Sequence, residues 1–267
     1  MGAFRDFLEE LREQGELRTI SDPISWDLEA AAICAMAQRV GEAAVEFNNV
    51  RGYPNARLVG GTFVGGPGFM NWPQVRRFFH GRIALALGLD LKVRYDELLE
   101  TIIDRRRSPV RAMEVESGPA QEVVIEGRDV DLLSYPIPKI HERDGGRYLT
   151  HHVILTRDPE VGWTNAATYR LMVVGRNRLV HGSIPNRWKP TRHLESMVRK
   201  AHQRGQPLPF AIVIGAPPPL TMGACLQTPE ATDEFALAGS LGISPVSYTH
   251  LRAHETEADL VCRLLLE

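Results

Sequence analysis

Phe4, Phe7, Leu8 and Leu11 recur at the spacing of one helical face, and Gly15 stands where a left-handed C-terminal cap belongs. The pattern predicts a helix there, then a strand over Leu17 to Ile20. An alanine-rich helix is expected from about Asp27 to Val40, followed by strands over Val45 to Val50 and Leu58 to Val64 around a turn at Gly52 to Asn55. Helices return at Trp72 to Phe79 and Tyr95 to Arg106, so residues 1–109 read as an α/β domain. Beyond Pro109 the pattern shifts to short strands, at Glu122 to Ile125, His152 to Thr156, Thr168 to Val174 and Arg178 to Gly182. Turns at Glu126 to Arg128 and Gly175 to Asn177 separate them, which predicts a barrel or sandwich over 110–246. A helix from about His193 to Arg204, a strand Phe210 to Ile214 and a helix Glu234 to Leu241 complete the reading.

From Ser247 to Glu267 the text changes character where a helix should hand over to a strand. It resembles the translation of a sequencing adaptor, so native sequence is expected to stop near Pro245 or Val246, leaving 247–267 as a non-native tail. Without that tail's two Arg, three Glu and one Asp, the remaining chain is neutral. His250, His254 and Glu255 mimic a zinc helix, but their order is not His-Glu-x-x-His.

Composition narrows the function class. With 267 residues and 43% apolar content the chain can bury a sizeable core. There is neither a run of about 18 apolar residues nor a secretory leader, so no membrane span is expected and the default location is the cytoplasm. The cysteines Cys34, Cys225 and Cys262 form no Cys-x-x-Cys pair and read as free thiols. A net charge of −2 offers no field for nucleic acid, and Arg105 to Arg107 read as a solvated helix end. The glycine run from Gly60 to Gly68 lacks dinucleotide or P-loop spacing and reads as a structural turn.

Candidate chemistry lies after the glycine turn Asp144-Gly145-Gly146. Asn165, His193 and Glu234 could supply an amide oxygen, an imidazole nitrogen and a carboxylate, a set suited to Mn2+ or Mg2+ held against phosphate oxygens. A buried dianionic phosphate needs such a cation. Each residue also has an ordinary role open to it, as turn former, solvated side chain and helix-dipole partner. Arg170 follows Asn165 by five residues, so in an unbroken strand the two face opposite ways, and a turn or bulge must intervene if they share a site. A surface strand residue is the alternative for Arg170. Ala166 and Ala167 are small enough for a planar cofactor to approach the backbone. His141, His151, His152 and His181 read as loop or surface histidines.

The blocks Gly127 to Pro138, Asp144 to Gly146, Thr156 to Asn165, Tyr169-Arg170, Pro207 to Ala211 and Gly215 to Pro218 are together similar to UbiD-family decarboxylases, of the 3-polyprenyl-4-hydroxybenzoate decarboxylase type, over about residues 1–246. The resemblance implies an α/β N-terminal domain, then a split β-barrel like that of flavin reductases with flanking helices, and a C-terminal oligomerisation domain missing here. It implies reversible, non-oxidative decarboxylation of an aromatic or α,β-unsaturated carboxylic acid on prenylated FMN, with Mn2+ (or Mg2+) and K+. It further implies a flavin prenyltransferase as cofactor supplier and a homo-oligomer at full length. Carried over, Asn165, His193 and Glu234 are the metal ligands, with Asp233 as fallback for Glu234, and Arg170 lies at the flavin and substrate carboxylate. Thr168, Tyr169 and Arg170 fall in the cofactor-contact strand, and Gly182, Ser183, Ile184 and Arg187 in a second contact loop. The proton donor of family members falls beyond this sequence, so the chain as written is expected to bind flavin weakly without turnover. Two other readings stand beside this one: an accessory subunit of a multi-component carboxylase, and an ordinary FMN reductase or oxidase on the same barrel.

Overall fold

The amphipathic N-terminal stripe forms helix α1, Phe4–Glu13, with Phe4, Phe7, Leu8 and Leu11 all buried. The computed structural model describes residues 4–64, 80–118, 121–181, 193–242, 247–249 and 264–266. After α1 come β1 Leu17–Ile20, α2 Glu29–Arg39, β2 Ala44–Phe47, β3 Leu58–Gly60, α3 Gly81–Ala86 and α4 Tyr95–Arg106. Then follow β4 Met113–Val115, β5 Tyr148–Leu149, β6 His152–Arg157, β7 Thr164–Ala167, β8 Leu171–Gly175 and β9 Arg178–His181. The remainder is α5 His193–Gln203, β10 Phe210–Ile214, α6 Pro218–Cys225, α7 Glu234–Gly242, β11 Ser247–Thr249 and β12 Leu264–Leu266. Two compact units result, one of residues 1–104, 131–149 and 172–176, the other of 105–130, 150–171 and 177–267. They interleave along the chain.

In the first unit β2 pairs in parallel with β1 and antiparallel with β3. Every residue of β2 is buried, and strand alternation sends its side chains into two different cores. Ala44 packs with Phe4, Phe7, Leu8, Leu11, Leu85 and Ala86, while Val45 and Phe47 pack with Ile24, Ala30 and Val50. Glu46 shares the Ala44 face and is only 3% exposed; it is held by Arg12 at 2.8 Å, Arg57 at 3.0 Å and the Thr19 hydroxyl. The Gly145-Gly146 turn is explained by contact, since a Cβ at either position would stand 3.2 Å from Met172 Sδ or the Val173 carbonyl.

The second unit is built on β10, β6 and β7, which pair antiparallel in that order, with β12 parallel to β10 on its other side. Helices α6 and α7 cover this sheet, burying Val153, Ala166, Val213, Leu220, Phe235 and Ala238 together. Helix α7 is buried from Glu234 through Leu241, as befits a helix apolar on all sides. The stretch from Ser247, expected to be foreign, contributes β11 beside β4 as well as β12.

Several expectations change. Residues 122–125 form no strand; Val123, Val124 and Ile125 stay exposed, so their apolar run buries nothing. The strand expected over Thr168 to Val174 starts only at Leu171, as β8, and β7 over Thr164–Ala167, which carries Asn165, was not expected. Strand β3 stops at Gly60 because Gly61 turns the chain at φ 81°. Helices α3 and α6 were not expected, although Pro218 in the first turn of α6 is a recognisable start signal. The helix expected over Trp72 to Phe79 lies outside the described residues.

Arg82 is the largest fully buried side chain. It donates to Glu16 at 2.9 Å and to the carbonyls of Gly61, Val64 and Glu42 at 2.6–2.9 Å, so every branch of the guanidinium is used. Arg82→Leu leaves a buried carboxylate and three carbonyls without their donor. It is expected to cost roughly 3–5 kcal/mol in urea unfolding, of which the double variant Arg82→Leu, Glu16→Leu recovers a part.

Candidate functional site

Helix α5 and the β6–β7 hairpin are tied together by Asp158, and this sets the site. Its carboxylate accepts the Glu160 and Val161 backbone N–H groups at 2.8 and 3.0 Å, shaping the turn, and takes the Lys200 ammonium at 2.8 Å. Its own backbone N–H donates to the Trp163 carbonyl at 2.8 Å, and Gly162 supplies the left-handed residue at φ 77°. Lys200 lies about two helical turns beyond His193, so the clamp holds the first residue of α5 over β7. There Asn165, paired with Thr156 and 1% exposed, brings Oδ1 to 3.1 Å from His193 Nδ1.

The third candidate ligand arrives from α7. Glu234 is 3% exposed, and its Oε1 lies 3.8 Å from His193 Nδ1. Its other oxygen accepts the Ala166 backbone N–H, and Thr228 donates to Oε1 at 2.9 Å. Burial pushes this carboxyl up to about 7; the two hydrogen bonds oppose the shift and the nearby Asp233 charge adds to it. Asp233 itself accepts the Ala236 N–H at 3.0 Å, so its carboxylate caps α7 and leaves Glu234 as the group facing Asn165 and His193. Among the described residues no three His, Cys, Asp or Glu side chains gather as a metal site. The set here is two such groups and an amide. Its oxygen and nitrogen donors and the energetically costly buried carboxylate suit a hard divalent cation.

Arg170 stands in the break between β7 and β8, exposed, with no hydrogen bond or ion pair to any described residue. The required interruption after Asn165 is therefore present at 168–170. Thr168 Oγ1 lies 3.7 Å from Cys225 Sγ, and Tyr169 is buried with its ring 5.1 Å from that of His181. Gly182, Ser183, Ile184 and Arg187 lie outside the described residues. His152 is not a surface residue as expected: it is 2% exposed on β6, and neither ring nitrogen meets the geometry of a hydrogen bond. Burial lowers its pKa to about 4.

Comparison with known proteins adds the family. The 3-octaprenyl-4-hydroxybenzoate carboxy-lyase N-terminal domain matches residues 8–105, and the Rift-related domain of the same carboxy-lyase matches 111–262. The chain belongs to the UbiD family. A pyrrole-2-carboxylic acid decarboxylase of Pseudomonas aeruginosa is 32% identical over 91% of this chain and 47% of its own length. A phenolic acid decarboxylase of Streptomyces sp. is 33% identical over 90% of this chain and 48% of its own. The chain thus spans about half the length of the curated relatives it matches. Among solved structures, the UbiD-class enzyme HmfF from Pelotomaculum thermopropionicum in complex with FMN superposes with TM-score 0.79 at 27% identity, covering 96% of this chain and 52% of that one. Vanillic acid decarboxylase of Sedimentibacter hydroxybenzoicus, in closed form, gives TM-score 0.83 at 25% identity, with coverages of 96% and 52%. No helix among the described residues is long and apolar enough to cross a membrane.

Sequence reading missed Asp158 and Lys200, which set the register of this candidate site, Thr228, which holds Glu234, and the burial of His152. Only Asp158 carried a local signal, as an Asp two residues before an acidic turn ending in glycine.

Two buried groups here titrate against each other. The raised Glu234 favours the folded state below its unfolded value of 4.5, and that contribution is lost as pH rises through about 7. The depressed His152 contributes above its unfolded value of 6.5 and is lost as pH falls through about 4. Each is worth about 3 kcal/mol, so between pH 4.5 and 6.5 these two contributions nearly cancel in the metal-free protein. Denaturant titrations should show Glu234→Gln losing stability on acidification and His152→Phe losing it on alkalinisation across that window.

Proposed function

We propose that this chain is the cofactor-binding part of a carboxy-lyase that removes CO2, reversibly and without net oxidation, from an aromatic or α,β-unsaturated carboxylic acid. The observation that carries this reading is the convergence of Asn165, His193 and Glu234 in a UbiD-family chain. Decarboxylase relatives and solved neighbours holding FMN or prFMN support it. In this reading Asn165 Oδ1, His193 Nδ1 and Glu234 Oε1 hold Mn2+ or Mg2+, whose charge offsets both the buried carboxylate and a flavin phosphate. Prenylated FMN, when bound, supplies the electron sink for the carbanion that CO2 loss leaves behind. The exposed Arg170 guanidinium, with no described partner to compete, takes the substrate carboxylate in a bidentate grip and sets its orientation. Ala166, Ala167, Thr168 and Tyr169 form the backbone edge beside the cofactor.

The scaffold in this reading is a split β-barrel, and the protein is cytoplasmic. The part of the relatives that this chain does not match, about half their length, supplies the proton donor and an oligomerisation surface. K+ joins the cofactor site, and a flavin prenyltransferase provides the cofactor. The 267-residue chain alone then binds flavin without turnover.

Equilibrium dialysis against FMN should show retention with Mn2+ that EDTA abolishes. Glu234→Ala or Asn165→Ala should lower it by at least the roughly 10–100-fold that losing a supporting residue costs a metal site. Metal-independent retention would instead favour an ordinary flavin reductase. Joined to the remainder of a UbiD-family polypeptide and given prenylated FMN, the chain is expected to release CO2 from at least one of a panel of cinnamic, hydroxybenzoic and heteroaromatic acids. Arg170→Gln should lower kcat/KM about a hundredfold at unchanged flavin content. A panel that yields no CO2 at all would overturn the proposal.

A further inference from the structure

Two nitrogen donors beside His193 have no acceptor among the described residues. Asn165 is 1% exposed, and while its Oδ1 meets His193, its Nδ2 has no hydrogen-bond partner. The Trp163 ring meets the His193 ring edge to face, 5.2 Å between centroids and 85° between planes, and its buried Nε1 is likewise without a partner. An amide NH2 and an indole N–H can only donate. Buried polar groups of this kind are nearly always paired in folded proteins, so two together beside one imidazole mark a place where an acceptor belongs.

The nearest described protein oxygens already serve other donors. Glu234 accepts from Ala166 and Thr228, and the Trp163 carbonyl accepts from Asp158. Trp163 and Asn165 are two residues apart, which in extended chain puts both side chains on one side. The Asp158 turn holds the indole in place before any ligand arrives, so little ordering is left to do on binding. The missing acceptor must carry several oxygens, so that one can face a cation while others take the two N–H groups, and it must tolerate a buried carboxylate nearby. A phosphate monoester, with three terminal oxygens, meets both conditions once the cation is present; a carboxylate, with two, has to share one oxygen between partners.

We infer that Trp163 Nε1–H and Asn165 Nδ2–H form a donor pair that recognises a phosphate monoester, the indole acting as a specificity residue for phosphorylated over unphosphorylated flavin. The inference rests on the reading of Asn165, His193 and Glu234 as a divalent-cation set.

The test is calorimetric titration of the Mg2+-loaded chain, wild type and Trp163→Phe, with FMN, riboflavin and inorganic phosphate. Phenylalanine keeps the ring and removes the donor. The variant is expected to bind FMN and phosphate about tenfold more weakly, the usual worth of a charge-assisted hydrogen bond, with riboflavin affinity unchanged. Equal weakening for FMN and riboflavin would make the indole a packing element and overturn the inference, as would unchanged affinity for FMN and phosphate. Wild-type binding of phosphate but of neither flavin would sink the flavin reading alone, the phosphate comparison still deciding the donor pair. Binding of neither phosphate nor FMN would overturn both. In the wild-type chain, which avoids any folding defect of the variant, the Trp163 indole N–H proton resonance should move downfield on adding phosphate; an unmoved resonance also counts against the donor pair.

Discussion

The burial of Glu234 is the constraint on which the second unit turns. A carboxylate at the head of an apolar helix, packed against a strand of small residues, has lost its water and received two hydrogen bonds in return. Burial outweighs those bonds and pushes its pKa up to about 7. Contrast the first unit, where Glu16 is matched by the buried Arg82, and Glu46 by Arg12 and Arg57. There each buried anion has a guanidinium of its own, and the pairs serve the fold. Among the described residues Glu234 has only an imidazole at 3.8 Å and an amide beyond it. That deficit of positive charge separates a candidate site from a structural ion pair, and it is what the proposed cation would fill.

Geometry supports the same separation. Three elements far apart in sequence converge: β7 brings Asn165, the first turn of α5 brings His193, and the first turn of α7 brings Glu234. Asp158 and Lys200 fix the helix over the hairpin, and Asp233 caps α7 so that the next residue, Glu234, faces inward. Small residues make the approach possible, since Ala166 packs directly with Phe235 and Ala238. Among the described residues the site thus gathers a buried Glu234 carboxyl without a cation and the Trp163 and Asn165 donors without acceptors. An isolated misfit can be a packing accident. Three around a single imidazole are better explained by a ligand.

Local pattern carried much of this chain. The stripe of Phe4, Phe7, Leu8 and Leu11, the cap at Gly15 and the run Phe210 to Ile214 announced their elements because each is decided by neighbours in sequence. Ordered motifs carried the family, and with it Asn165, His193 and Glu234 as a set. Residues 122–125 misled because an apolar run looks the same whether or not a partner strand exists to cover it. The break at 168–170 could be required by logic, from the facing of Asn165 and Arg170, but not located.

Tertiary structure alone decided the rest, because burial and charge matching depend on residues distant in the chain. Asp233 and Glu234 are equivalent as text; the cap on α7 makes one a turn-holder and leaves the other to the site. His152 read as a surface residue until β10 and β7 closed over β6. Arg82 gave no signal at all, since its worth comes from Glu16 and three carbonyls that only the folded first unit gathers around it. Sequence named the donor types; only the packed chain could show which of them were left without partners.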